Sequence, residues 1–381
     1  MPTKSQLEAA KLWRAAEGKS LTVDGPAPTR REQSAAQIKF SESIAYGGLA
    51  TQLQPALVRT LRSYFDSTPV VADQFTRLWE LEGIDRDEEY NIYGFNQDDI
   101  PETNNGDTFI PGGLPSIGRR ESYPEIGVQA SGKKGRVSKV GEAFGIDWES
   151  LVNSKGSKIN LIRDAIERFG RDAANEGDIR VAKQLVNSSG FVTTGEMANA
   201  TALTGNPDLL DPLSLAEAIA QLQAVQVQGM ENEVSKFVVL TSVANAPKIR
   251  QGIANRRIIR NPGVEAGASW EETVDYGAEV EVLGFSWLKS IWSGIGSGAL
   301  IVPVPRAEQL PVLTRNRLQG YAEPSFWIKD SNAKSANGGG EINPEADGDF
   351  DSDAIVSKVR HVVGASTLWA NQIGYTTGSN T

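Results

Sequence analysis

The chain contains no cysteine and a single histidine, His361, among its 381 residues. The absence of cysteine excludes disulfides, thiolate metal sites and a cysteine nucleophile. With one histidine, a zinc site would have to rest on carboxylates, which is unusual for that metal. These shortages argue against most nucleophilic enzymes and most zinc enzymes.

The sequence also lacks long apolar runs and a net positive charge. No apolar run approaches the length of about 20 residues that spans a bilayer, and the N-terminus shows no signal-peptide core. We therefore expect a protein without membrane contact that is made and kept in a cytosol. The formal charge of −10 argues against a general phosphate-binding surface, so any contact with DNA would be local.

Candidate catalytic motifs are few. The glycines of "GIGSGALIVPVP", residues 294–305, precede a predicted strand, whereas a phosphate cradle follows a strand and opens a helix. There is no G-x-S-x-G elbow, and a serine nucleophile would depend on His361 as its base. We predict no catalytic, cofactor-binding or metal-binding residues. A carboxylate-based soluble α/β enzyme is the alternative of a different class.

An acidic run near the C-terminus alternates like the oxygen ligands of a calcium loop. Its members are Glu345, Asp347, Asp349, Asp351 and Asp353. An EF-hand that began at Asp347 would need Glu where Lys358 stands, and one that began at Asp349 would need Glu where Arg360 stands. A calcium site of another kind and a solvated acidic turn both stay open.

The strongest helical signal lies at about 158–187. Apolar residues recur there close to helical spacing: Ile162, Ile166, Phe169, Ala173, Ala182 and Leu185. At 1.5 Å per residue this helix is roughly 40 Å long. Asp211 and Pro212 open a second predicted helix that ends at Gly229, and strands are predicted in "SKFVVLT", "AEVEVLGFSWLKS" and "GALIVPVP". The mixture predicts an α+β fold.

Residues 126–148 are predicted to form a long hairpin around Gly-Lys-Lys-Gly. A basic cluster surrounds it, consisting of Arg119, Arg120, Lys133, Lys134, Arg136 and Lys139. Two interpretations stay open. Lysines on an exposed edge strand discourage aggregation, and a basic ribbon can also dock on an acidic surface of another subunit.

The chain closes with a predicted strand from about residue 350. Ile355, Val359 and His361 share one face of this strand. With no nucleophile or second histidine to work with, His361 is interpreted as a structural residue of the strand.

Three stretches resemble one protein family when they are taken in order. They are "GRVSKVGEAFGIDWESLV" with the following "INLIRDAIERFGRDAANEGDIRVAKQLV", then "LTSVANAPKIRQGI", and finally "GDFDSDAIVSKVRHVVGASTLWANQIGY". Over about 110–378 the chain is similar to the major capsid proteins of tailed double-stranded DNA bacteriophages, which have the Hong Kong 97-type fold.

The resemblance implies a division of the chain. Residues 1–110 would form an N-terminal arm and extended region, and 111–148 an extended E-loop hairpin. Residues 149–189 and 349–381 would form a peripheral domain with a long spine helix and the terminal strand. Residues 190–348 would form an α/β axial domain.

The resemblance also implies a function. The protein would self-assemble through pentamers and hexamers into an icosahedral virion head, in the cytoplasm of a host bacterium. The head would enclose double-stranded DNA without sequence-specific binding. A separate scaffolding protein, a portal and decoration proteins would be its partners. An encapsulin-like compartment, which shares the fold and encloses an enzyme, is the alternative.

Charge placement suggests where neighbouring subunits would meet. The predicted contact joins Lys133, Lys134, Arg136 and Lys139 of one copy to Glu167, Asp172 and Glu176 on the spine helix of the next.

Overall fold

The structure is a computed structural model that describes most of the chain. The described residues are 49–95, 103–104, 107–108, 128–147, 158–204, 209, 211–227, 230–231, 234–254, 257–260, 270–304, 311–329 and 354–378. Most of the predicted N-terminal arm, the arginines 119 and 120, and the acidic run at 345–353 lie outside them.

Within the described residues, each α-helix is followed by a group of strands. The helices are α1 (Leu49–Ser67), α2 (Lys158–Leu185), α3 (Pro212–Gln223), α4 (Ala246–Ala254) and α5 (Ser286–Ile291). The strands are β1 (Arg77–Leu81), β2 (Glu88–Phe95), β3 (Thr103–Asn104), β4 (Asp107–Thr108), β5 (Val128–Gly135), β6 (Ser138–Asp147), β7 (Val186–Asn187), β8 (Gly190–Phe191), β9 (Thr201–Ala202), β10 (Gln226–Val227), β11 (Met230–Glu231), β12 (Lys236–Thr241), β13 (Arg257–Arg260), β14 (Trp270–Thr273), β15 (Glu279–Gly284), β16 (Ala299–Pro303), β17 (Leu313–Leu318), β18 (Ser325–Lys329), β19 (Ala354–Thr367) and β20 (Gly374–Thr376). The predicted α+β class is confirmed. No helix of the described residues is long and apolar enough to cross a membrane.

The chain divides into two compact units. The first contains residues 1–70, 139–176 and 320–362, and the second contains 71–138, 177–319 and 363–381. The boundary falls inside α2 and again inside β19, so both elements contribute residues to both units.

In the first unit, β18 and β6 both pair with β19. One face of these strands packs against helices: Phe169 of α2 lies 6.5 Å from Phe326 of β18 between ring centroids. Helices α1 and α2 approach each other closely at Gly170, where an added Cβ would lie 2.7 Å from the carbonyl oxygen of Leu61. Glycine is therefore required at this crossing despite its cost to the helix.

The second unit is built on a sheet with the strand order β15-β12-β16-β20-β9. Strand β12 runs parallel to β15 and antiparallel to β16, so it has neighbours on both edges. Its apolar, β-branched sequence suits a strand that is buried on both faces. The residues of α3 that pack into this core are Leu215, Ala218, Ile219 and Leu222.

Helix α3 begins as its sequence predicts. The carboxylate of Asp211 accepts a hydrogen bond from the backbone N–H of Ser214 at 3.1 Å, and Pro212 occupies the first helical turn. The predicted end at Gly229 is wrong, because the helix stops at Gln223 and the chain enters β10. Apolar residues continue from the helix into β10, so the spacing of apolar residues did not mark where the helix ends.

A second group of strands completes this unit. β1 runs parallel to β17, and β17 runs antiparallel to residues 363–367 of β19. The buried side chain of Asn316 on β17 donates a hydrogen bond to the Ser366 hydroxyl at 2.7 Å.

The predicted hairpin of residues 126–148 is corrected by the strand pairing. Both of its halves are strands, but β5 pairs with β2, from Glu88 opposite Gly135 to Phe95 opposite Val128. β6 pairs instead with β19. The Gly-Lys-Lys-Gly stretch predicted to form the turn lies inside β5. Each strand pairs with a segment distant in sequence, which local turn chemistry does not reveal.

The predicted long helix is confirmed as α2, Lys158–Leu185. The predicted terminal strand is confirmed as β19, which begins at Ala354. The division into arm, E-loop, peripheral and axial domains stays a prediction.

Candidate inter-subunit surface

A surface cleft of about 390 Å³ lies in the first unit between β6, α2 and β19. Its lining residues are Lys139, Val140, Gly141, Glu142, Asp172, Ala173, Glu176, Val359 and His361. Three of the seven predicted contact residues, Lys139, Asp172 and Glu176, therefore share one cleft. Its lining carries three carboxylates and one lysine.

An exposed arginine links two of these carboxylates. Arg168 donates hydrogen bonds to Asp172 and to Glu142, each at 3.1 Å. The hydrogen bond to Asp172 and then the charge of Glu142 raise the pKa of Arg168. The bond to Glu142 joins α2 to β6, while the bond to Asp172 lies within α2 and orients the guanidinium.

Glu167 is engaged within its own chain. The Tyr64 hydroxyl donates a hydrogen bond to Glu167 Oε1 at 2.5 Å, and Arg171 lies 3.6 Å from the other carboxylate oxygen. The side chain of Glu167 is only 20% exposed. Glu167 thus connects α2 to α1 and is less exposed than Asp172, whose side chain is 47% exposed.

The remaining basic contacts lie in the second unit, at the end of β5. Lys134 and Arg136 form exposed ion pairs with Asp87 and Asp85, at 3.7 and 3.6 Å. The ammonium of Lys133 lies 5.5 Å from the centroid of the Trp369 ring. These residues surround the root of the two-stranded β2–β5 sheet, which we call the ribbon.

A glutamate lies beside the ribbon root. Glu196 accepts a hydrogen bond from the backbone N–H of Thr367 at 2.9 Å. Burial raises the pKa of Glu196, the Thr367 hydrogen bond opposes that rise, and the charges of Asp87 and Lys133 act in opposite directions. No motif in the sequence singled out Glu196, because its partners come from distant segments.

Two glycines allow close backbone approaches at the same root. A Cβ on Gly364 of β19 would lie 2.0 Å from the carbonyl oxygen of Arg136. A Cβ on Gly135 would lie 2.1 Å from the Trp79 ring. Because neither site has room for a side chain, the ribbon root is held by shape as well as by charge.

His361 lies in β19 at the inner end of the cleft. Its ring contacts Phe65 of α1 edge to face, with centroids 5.5 Å apart, and the residue is 7% exposed. The alternation predicted for β19 places Val359 and His361 on the helix-packed face, and both are buried.

Sequence reasoning missed Arg168 and Glu142. The spacing of Arg168 and Asp172, four residues apart on a helix, is a signal that could have pointed to the first of these. The contact of Glu142 with Arg168 could not be predicted locally, because it depends on where β6 lies relative to α2. Within the described residues, no group of three or more histidine, cysteine or carboxylate side chains is placed to hold a metal ion.

A family model described as phage capsid protein matches residues 132–371, which is more than half of the chain. The chain belongs to the phage capsid protein family. This match confirms the resemblance to phage capsid proteins that the sequence shows. The chain is therefore a structural component of a virion shell.

Solved structures give weaker likenesses. The capsid of Myoviridae phage XM1 is 11% identical, with a TM-score of 0.46 and coverage of 81% of this chain and 91% of that one. A Gordonia phage Cozz chain is 14% identical, with a TM-score of 0.45 and coverage of 82% and 87%. The virus-like particle of Pyrococcus furiosus is 9% identical, with a TM-score of 0.43 and coverage of 84% and 98%. No curated protein matches the chain.

Proposed function

We propose that this phage capsid protein assembles through pentamers and hexamers into an icosahedral head around double-stranded DNA, without catalytic turnover. Assembly would take place in the host cytoplasm with a separate scaffolding protein, a portal and decoration proteins. The family match over residues 132–371 carries the proposal.

The division of the chain is part of the proposal, with one refinement. We assign the E-loop to residues 88–135, because β2 and β5 pair with each other over their full lengths. The peripheral domain at 149–189 and 349–381, and the axial domain at 190–348, keep the bounds that the resemblance implies.

The contact between copies would join the ribbon root to the acidic side of α2. Lys133, Lys134, Arg136 and Lys139 would meet Glu167, Asp172 and Glu176 of a neighbour. Asp172 and Glu176 line the cleft, and Asp172 is a better candidate than Glu167 because its side chain is 47% exposed against 20%. The pairs of Lys134 and Arg136 within their own chain are exposed. Such pairs are worth about 0–1 kcal/mol, so exchanging them for intermolecular pairs costs little.

Reversing the charge of the ribbon root tests this contact. The double variant Lys133→Glu/Lys134→Glu should lower the yield of sedimenting particles and make assembly more sensitive to salt. The matched control is Lys248→Glu/Lys289→Glu, which changes the net charge equally at two exposed lysines elsewhere in the second unit. Equal yields and equal salt tolerance for both variants would show that the contact is wrong.

Electron microscopy of the purified protein tests the function itself. Closed shells or capsomer rings are expected, and nucleic acid should be found inside particles recovered from infected cells. A uniform monomer under all conditions would contradict the proposal. Shells that contain an enzyme in place of DNA would instead favour the encapsulin-like alternative.

A further inference from the structure

The face of the first unit's strands that is turned away from the helices carries paired positive charges. Trp327 of β18 is directly opposite Lys358 of β19, and Ser325 is opposite Arg360. Because alternate residues of a strand share a face, Trp327, Lys358 and Arg360 lie side by side. We call these three residues the cationic face.

Both cations of this face lie over one aromatic ring. The guanidinium carbon of Arg360 is 4.4 Å from the Trp327 centroid, and the ammonium of Lys358 is 5.3 Å from it. These distances fall within the range of cation–π attraction. The ring attracts both charged groups, so the two charges are already positioned before any partner arrives.

This arrangement adds nothing to the helix-packed core. The residues that alternate with it, Phe326, Val359 and His361, are the ones that are buried against the helices. On the β6 side, a Cβ on Gly145 would lie 4.0 Å from Val356, so Gly145 is on the same side of the sheet as the cations. Ala143, two residues earlier, shares that side. Both positions are exposed and small, which leaves room for a chain to lie alongside the cations.

The chain itself carries a segment with matching charge and spacing. Residues two apart in an extended strand are separated by about 6.6 Å, which is the interval between Lys358 and Arg360 along β19. The acidic run that resembles a calcium loop in its alternation has the same period: Glu345, Asp347, Asp349, Asp351 and Asp353. In an extended conformation, its five carboxylates face one way at the interval of the cations.

We propose that the acidic run of one copy docks in extended form on the cationic face of a second copy. The proposal rests on the proposed function, since it supplies a contact between subunits of the shell. A second copy is the better occupant because Asp353 immediately precedes β19. To reach Lys358 and Arg360 of its own copy, the chain would have to reverse direction directly before β19. Each contact is weak alone and gains strength from repetition around the shell.

A peptide-binding measurement tests the face without any need for shells. A labelled peptide of residues 341–354 should bind the dilute full-length chain, with binding followed by fluorescence anisotropy. Lys358→Glu/Arg360→Glu should weaken binding at least tenfold, while the control Lys248→Glu/Lys289→Glu should leave it unchanged. A control peptide of the same composition, with its acidic residues placed next to one another, should bind less tightly because its carboxylates no longer all face one way. If Lys358→Glu/Arg360→Glu does not fold, Lys358→Gln/Arg360→Gln takes its place with the same expectation.

Two outcomes of that measurement would overturn the proposal. One is equal peptide affinity for the wild type and for the cationic-face variant. The other is tighter binding of a short DNA duplex than of the peptide, lost in the cationic-face variant, because the face would then be a nucleic-acid contact.

Mixing experiments show whether the run binds in another copy. The cationic-face variant and Asp347→Lys/Asp349→Lys/Asp351→Lys should each assemble poorly alone, and mixing the two should restore shells. If only the combination of both changes within one chain restores shells, the run binds its own chain and the proposal is wrong. Wild-type chains that form no shells would instead contradict the proposed function. Wild-type shells with an unaffected cationic-face variant would contradict this inference alone.

Discussion

The five-stranded sheet of the second unit and the ribbon of β2 and β5 show two ways in which this chain uses strands. In the sheet, β12 has paired neighbours on both edges, and Phe237 through Leu240 are fully buried. In the ribbon, the two strands pair with each other. The basic residues at the root of the ribbon form exposed ion pairs.

This difference distinguishes residues that stabilise the folded chain from residues that are exposed for contact with another subunit. A sheet with a covered apolar face is stable within one chain, whereas a two-stranded ribbon is marginal in water. In a shell protein, a neighbouring copy can supply the missing surface. We therefore expect changes in the sheet to affect folding, and changes in the ribbon to affect assembly.

The largest expected effect is a change in the sheet core. Phe237→Ala should lower the free energy of unfolding by about 3–5 kcal/mol, because it removes a buried ring and leaves a cavity. Denaturant unfolding of the unassembled chain measures this loss. A loss of unfolding free energy below about 1 kcal/mol would mean that the core of this sheet does not dominate the stability of the folded chain.

The next largest effect concerns the root of the ribbon. Gly364→Ala should destabilise the chain by about 1–3 kcal/mol, because the added methyl group meets the carbonyl oxygen of Arg136. Gly145→Ala is the matched control, since its methyl group would make only an ordinary contact with Val356. The two variants are compared by thermal melting. Equal melting temperatures would show that the close contact between Gly364 and the carbonyl oxygen of Arg136 is not needed for stability.

A buried carboxylate near the start of β1 has an effect of similar size. Asp178 of α2 accepts hydrogen bonds from the backbone N–H groups of Val71 and Ala72, at 3.1 and 2.8 Å. Asp178→Ala leaves both donors unsatisfied and should cost about 1–3 kcal/mol in denaturant unfolding. Asp172→Ala changes an exposed carboxylate of the same helix and should cost much less. Similar losses for both would contradict the importance of these two hydrogen bonds.

The same residue gives a pH prediction. Burial raises the pKa of Asp178, against the opposing effect of its two backbone hydrogen bonds. The folded state therefore takes up a proton at higher pH than the unfolded state does. As the pH falls through the folded-state pKa towards the unfolded value of about 3.9, this group increasingly favours folding. The stability of the wild type relative to Asp178→Asn should rise from pH 7 to pH 4, and a constant or falling difference would contradict it.

The smallest folding effect is expected in the ribbon. Lys134→Ala removes one exposed ion pair and should change the free energy of unfolding by no more than about 0.5 kcal/mol. Denaturant unfolding and the yield of particles are measured for both Lys134→Ala and Phe237→Ala, to compare their effects on folding and on assembly. A destabilisation comparable to that of the core variant would remove the distinction between the two regions.

Local patterns predicted the elements whose cause is local. The 3.6-residue period marked α2, Asp211 and Pro212 marked the start of α3, and alternation marked β19. The seven predicted contact residues were chosen by charge alone. Of these, the structure brings Lys139, Asp172 and Glu176 to one cleft, while Glu167 is occupied by Tyr64. The contact with a neighbouring copy stays a prediction.

The sequence by itself determined the α+β class, the long helix, the closing strand and the family resemblance, because these depend on periodicity and on the order of segments. Only the tertiary structure decided that β5 pairs with β2 and β6 with β19, and that Arg168 joins Glu142 to Asp172. Strand partners and ion pairs between distant segments are selected by packing of the whole chain. Local sequence carries no record of that selection.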